Sequence, residues 1–195
     1  MGRNLVLPTR QINNLEDFLK HFPEANELFI DGTERRTQRS KKPDKQKRQY
    51  SGKKKTHVRK NIIIATKNRE IVYLSPTTDG AKHDFNITKN EQIPQSLPPD
   101  IPLYADSGFQ GIKDLVKNPE LIFMSQKKPR NAELTSDQKE TNSIISSIRV
   151  KVEHAIAGLK RLNCLSHVYR NKKGQDDSFI NIAAGLWNYH LRMAA

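Results

Sequence analysis

The stretch that most restricts the fold is residues 61–75, NIIIATKNREIVYLS. Three successive isoleucines precede Lys67-Asn68-Arg69, and Ile71 to Leu74 follow, so two apolar runs rich in β-branched and aromatic residues flank a polar turn. The pattern predicts a β-hairpin whose first strand lies near the centre of a sheet. Shorter apolar runs at Glu27–Ile30, Pro102–Ala105 and Leu121–Met124 predict further strands. Residues 15–22 can form a short helix before Pro23, and further short helices are predicted after TTDGAKHDFNI at 77–87 and at about Gly111–Val116. Thr135 with Gln138 forms a capping box ahead of Ile144, Ile145, Ile148, Val152, Ile156, Leu159 and Leu162, which predicts a long helix over about 137–163. Phe179, Ile182, Ala183, Leu186, Trp187 and Tyr189 predict a last helix at about 177–192, with Trp187 and Tyr189 as core residues. The whole reads as α/β, a mixed sheet flanked by helices.

Between Arg35 and Lys60 the chain carries 13 Lys or Arg residues against one Asp. Such a block cannot bury apolar surface, so it is expected as a loop or extended arm that a partner would order. The formal net charge of +13 favours an anionic partner, with nucleic acid first. A structural RNA-binding protein or a protein held at an anionic membrane surface would satisfy charge alone. Cys164 is the single cysteine, which excludes an intrachain disulfide and a cysteine-rich zinc site. The opening residues lack the apolar segment of a secretory signal, and no run is long enough to span a membrane.

Two acids share one local setting. FIDGTE at 29–34 and LYADSGFQG at 103–111 each end an apolar strand on Asp, at Asp31 and Asp106, before a residue that permits a turn. On adjacent parallel strands both would emerge at one edge of the sheet, where open α/β folds bind ligands. Glu153, in RVKVEHAIAGLKR, lies inside the long helix and could complete a triad. Converging carboxylates repel unless cations lie between them, and oxygen donors suit a hard divalent ion such as magnesium. Two such ions about 4 Å apart would support in-line phosphodiester hydrolysis or transfer. Each acid alone has a simpler role: an aspartate at a strand end also serves as a turn acceptor or helix cap, and helical glutamates commonly face solvent. Arg149, Glu153 and Lys160 fall on nearly one helical face, which could face phosphate or solvent.

The segments IDGTE at 30–34, YSGKKKTH at 50–57, DGAKHDF at 79–85, YADSGFQG at 104–111, KKPR at 127–130 and RVKVEHAIAGLKR at 149–161 together resemble the catalytic domain of DDE-superfamily insertion-sequence transposases, in the Harbinger-related group. The resemblance implies a ribonuclease-H-like fold over residues 25–195, with 1–24 a lead-in segment and 35–60 a basic insert. It implies Asp31, Asp106 and Glu153 as catalytic acids and metal ligands, with two Mg2+ ions or substituting Mn2+. The implied chemistry is cleavage of double-stranded DNA at transposon ends and joining to target DNA. Arg149 and Lys160 match the family's helical setting of the glutamate. The implied protein is cytoplasmic and nucleoid-associated, and homo-oligomeric when active. With Asp31 so near the start, no recognition module of several helices fits before it, so a separate DNA-recognition polypeptide or a truncated product is expected.

Around the triad, Lys53, Lys54, Lys55 and His57 are candidates for contacting the scissile strand, or contribute only diffuse attraction. Lys127, Lys128 and Arg130 form a second phosphate-facing candidate. His83 and Asp84 either organise the rim of the site or form a helix-start hydrogen-bond cluster. Tyr50 and Phe109 could stack on bases, although small domains mostly bury their aromatics. The other reading of the chain is a catalytically silent, transposase-derived DNA-binding or regulatory protein.

Overall fold

Ile62, Ile63 and Ile64 are each 0% exposed, and because successive strand residues point to opposite faces, both faces of their strand must be covered. The computed structural model, which describes residues 7–10, 15–23, 25–128, 133–171 and 173–194, shows how. In chain order the elements are α1 (Leu15–His21), β1 (Leu28–Arg36), α2 (Pro43–Gln49), β2 (Tyr50–Ser51), β3 (Thr56–Thr66), β4 (Ile71–Leu74), β5 (Thr78–Asp79), α3 (Asp84–Asn90), α4 (Ile93–Ser96), β6 (Leu103–Ala105), β7 (Ile122–Met124), α5 (Ser136–Leu159), α6 (Asn163–Ser166) and α7 (Asp176–Ala194).

β3 is the centre of the sheet. It pairs antiparallel with β1 on one side and with β2, β5 and β4 on the other. β6 and β7 then add parallel strands beyond β1. Antiparallel strands on one side of β1, parallel strands on the other and helices on both faces make the ribonuclease-H-like arrangement that the resemblance implied. One core packs Leu28, Ile30, Ile62 and Ile64 against Phe18, Phe22, Ile87 and Phe109. The other packs Phe29 and Ile63 against Val152, Ala155, Leu159, Ile180 and Trp187. Phe109 therefore belongs to the core rather than to a base-stacking surface, at 1% exposure. Among the described residues no helix is long and apolar enough to cross a membrane.

The strand expected to stop at Asp31 does not stop there. β1 continues to Arg36 because its ladder with β3 runs unbroken from Leu28↔Thr66 to Arg36↔Val58, and that ladder satisfies the backbone. Gly32 is accordingly a mid-strand residue, not a turn. Its lack of a side chain accommodates Asp84, whose carboxyl carbon would lie 2.9 Å from a Cβ at that position.

The basic stretch is likewise not an extended arm. Pro43 opens α2, a position where its missing N–H costs nothing, and β2 with β3 forms a hairpin around Lys53–Lys55. Several of its charges turn inward onto acids that are remote in sequence. Arg59 pairs with Asp79 and Asp176, Lys60 with Glu34 and Asp84, and Arg35 donates to Asn61 Oδ1 and to the Asp176 carbonyl. Those partners supply the ordering that apolar burial could not.

The Thr135–Gln138 capping box is present and α5 follows it. α7 buries Ile180, Ala183, Ala184, Trp187 and Asn188, a face rotated from the expected one, so Ile182 and Leu186 stay 48% and 43% exposed. Tyr189 is half-buried. Trp187 donates to the Arg69 carbonyl at 2.8 Å and packs where Gly158 leaves room on α5.

Candidate active site

The parallel pairing of β1 and β6 ends at Ile30↔Ala105, so the next residue on each strand is an aspartate. Asp31 and Asp106 are therefore neighbours by register, with side chains 22% and 39% exposed. Each is oriented by the same local contact. Asp31 Oδ1 accepts from the Gly32 N–H at 2.7 Å, and Asp106 Oδ1 accepts from the Ser107 N–H at 2.7 Å, where it caps a short 3-10 turn.

Arg149 of α5 supplies the positive charge between them. Its Nη2 lies 3.2 Å from Asp31 Oδ2 and its Nη1 3.7 Å from Asp106 Oδ1, with the side chain only 11% exposed. Burial pushes the Asp31 carboxyl above its usual range. Arg149 and the Gly32 N–H oppose that shift, while the negative fields of Asp106 and Asp84 add to it. Asp84 stands at the start of α3 behind Gly32, and Lys60 Nζ lies 3.0 Å from its Oδ1 and 3.2 Å from Glu34 Oε1. Lys60 also donates to the Lys82 carbonyl at 2.9 Å. Two acid–cation groups thus lie near one another, Asp31 and Asp106 around Arg149 and Glu34 and Asp84 around Lys60.

Glu153 is not assembled with them. It is exposed on α5, one turn beyond Arg149 on the same face, and among the described residues no three His, Cys, Asp or Glu side chains stand close enough to hold a metal ion. The Asp31–Asp106 pair itself fits a divalent cation: its oxygens are the donors such ions prefer, they converge, and they already share one cation in Arg149.

The remaining candidates distribute around this centre. Lys160 closes α5 half-buried, and its ammonium is held below the usual lysine range by burial and by the nearby charge of Lys54, against the attraction of Glu34 and Asp31. Lys53, Lys54 and Lys55 are exposed in the β2–β3 turn. His57 is half-buried and meets the Tyr50 ring edge-on at 5.6 Å, leaving Tyr50 44% exposed. His83 precedes α3, exposed and without a side-chain cap bond, whereas its neighbour Asp84 reaches the acidic centre. Lys127 is exposed after β7, Lys128 pairs with Glu133, and Arg130 lies outside the described residues. Cys164 is exposed on α6.

Glu34 and Lys60 are not legible in the sequence as members of the acidic centre. They sit in IDGTE and in the basic run, and only the Glu34↔Lys60 register of β1 with β3 brings them together.

The family model described as DDE superfamily endonuclease matches residues 30–188, a span that contains Asp31, Asp106 and Glu153. The chain is also similar to a protein of Microchaete diplosiphon described as a probable transposase for insertion sequence element IS702. The two are 32% identical over 195 residues, which cover 98% of this chain and 68% of that protein. No solved structure matches.

Proposed function

The chain belongs to the DDE superfamily of endonucleases, and from that membership we propose that residues 25–195 are the catalytic domain of an insertion-sequence transposase that cuts DNA at element ends and joins it to target DNA. The observation that carries the reading is the register of two parallel strands delivering Asp31 and Asp106 side by side with a shared cation. Asp31 and Asp106, joined by Glu153, would hold divalent ions, Mg2+ with Mn2+ as a substitute. Bound there, the ions supply Lewis-acid activation and neutralise charge on the phosphate.

The residues of the chain do the rest. Asp31 and Asp106 enter pre-oriented by backbone N–H donors, so little reorganisation is needed. Asp84 and Lys60 fix the floor beneath Gly32. Lys54 and Lys160 attract the phosphate backbone to the rim. Water attacks the phosphorus at the element end, releasing a 3′-hydroxyl and leaving a 5′-phosphate. That hydroxyl then attacks a target phosphodiester, displacing the target's own 3′-oxygen. Pairing two element ends calls for a homo-oligomer, and recognition of the ends could come from a separate polypeptide.

A second reading, a silent DNA-binding or regulatory derivative, is favoured by one observation: among the described residues no three His, Cys, Asp or Glu side chains are grouped to hold a metal ion. Incubation with element-end DNA in Mg2+ or in chelator separates the two. Metal-dependent nicks at the terminus support the catalytic reading, with strand joining scored as a separate product. Salt-sensitive binding without any nick in Mg2+ leaves the regulatory reading.

A further inference from the structure

Cations near β1 take two contrasting arrangements. Arg35, Arg59 and Lys60 turn inward onto acids or buried acceptors. Arg36, Lys54, Lys160 and Arg170 instead line one continuous groove, and no ion pair engages any of them among the described residues. The groove consists of two adjoining cavities, about 250 Å³ and about 470 Å³, that share Arg36 and Ser166 as wall residues. Its single acid, Glu34, is already engaged by Lys60 and by the Ser51 hydroxyl.

Bringing unpaired like charges into one groove is unfavourable unless an anion enters it. Burial first, and then the neighbouring charge of Lys54, hold the Lys160 ammonium below the usual lysine range, in the sense this crowding requires. The groove starts beside the acidic centre, because Asp31 and Glu34 both act on Lys160, and it follows β1 outward to Arg36. On the β6 side β1 has no strand partner between Ile30 and the Thr37↔Tyr169 bridge, so the edge is open only between those two points. From Asp31 to Arg36 a strand advances roughly 17 Å, a length that a few nucleotides of one strand can span. Val58 and Leu165 give the groove an apolar floor suited to sugar faces.

We infer that this groove is a track for one DNA strand leading away from the acidic centre, its phosphates held by Lys160, Lys54, Arg36 and Arg170 without base reading. Only the identity of the strand as DNA rests on the proposed function. Cations on phosphates position a strand and leave its sequence unread.

The test is binding of a labelled duplex with a 3′ single-stranded tail, in chelator so that nothing is cut, across a range of salt. Each lost phosphate contact should lower the log–log salt slope by roughly 0.7–0.9 and weaken binding by roughly five- to eightfold at 0.1 M salt. The double variant Arg36→Ala/Arg170→Ala should therefore lose about 1.5 units of slope, and Arg36→Lys/Arg170→Lys should recover most of it. Lys20→Ala/Lys89→Ala, which removes equal charge elsewhere on the surface, should keep the wild-type slope. Equal losses in the groove and control variants, or an unchanged slope in the groove variant, overturn the track even if the wild type cuts DNA. A slope loss confined to the groove variant supports it whether or not cutting is detected. Tighter binding of a matched RNA strand overturns the assignment to DNA.

Discussion

Arg149 lies 3.2 Å from Asp31 Oδ2 and also faces Asp106, so two carboxylates from adjacent strands share one guanidinium carried by α5. Replacement by alanine leaves the pair without its counter-ion in a half-buried setting. Arg149→Ala should lose about 1–3 kcal/mol of stability, less than a fully buried pair because both acids keep some solvent contact. Divalent ions should restore part of the loss, because ligand that binds only the folded state stabilises it by mass action. Thermal melts in chelator and in Mg2+ measure both effects. Equal melting temperatures for wild type and variant in chelator would refute the counter-ion role.

Asp31 sets a pH dependence of opposite sense to that of an acid whose folded-state pKa is lowered by a partner. Its folded-state pKa is raised by burial, so the folded protein favours the protonated form and loses stability as pH rises from the unfolded value through the folded one. Asp31→Asn removes that loss. The variant should melt above wild type near neutral pH, and the difference should close below the ordinary aspartate range, near pH 4. A variant that is less stable at neutral pH would contradict the sign.

Gly32→Ala probes the floor of the site. An added Cβ would lie 2.9 Å from the carboxyl carbon of Asp84, so that carboxylate must shift while β1 remains paired. The circular dichroism spectrum should be unchanged and DNA cleavage should fall roughly 10–100-fold. Full activity would show that Asp84 does not matter to the centre.

Gly158→Ala tests the contact between α5 and α7. Alanine normally favours a helix, but here its Cβ would stand 2.5 Å from carbons of the Trp187 ring. The substitution should destabilise by about 1–3 kcal/mol. Because Trp187 is the single tryptophan and donates to the Arg69 carbonyl, its emission should report the displacement. A stabilised variant with unchanged emission would refute the close packing.

What was legible in the sequence depended on how local its cause was. The hairpin around Lys67–Arg69, the capping box at Thr135 and the residue after each of two apolar strands are short-range patterns, and each appears in the fold. The length of β1 was not legible, because Gly32 reads as a turn until β3 is known to pair beside it. The order within the basic stretch was hidden for the same reason. Asp79 and Asp176, the acids that Arg59 pairs with, are 20 and 117 residues away in sequence. At the site, the shared strand-end setting of Asp31 and Asp106 suggested their meeting only on the condition that the strands were adjacent and parallel, while spacing on α5 could not tell that Arg149 is largely buried against the aspartates and Glu153 exposed.

The most direct measurement is the rate of Mg2+-dependent cleavage of element-end DNA by wild type and by Asp31→Asn, Asp106→Asn and Glu153→Gln, with folding checked in each. Wild type should cleave in Mg2+ and stop in chelator, and every variant should lose at least about a hundredfold. Unchanged cleavage after Asp31→Asn and Asp106→Asn would contradict the site itself, and unchanged cleavage after Glu153→Gln alone would remove Glu153 from it.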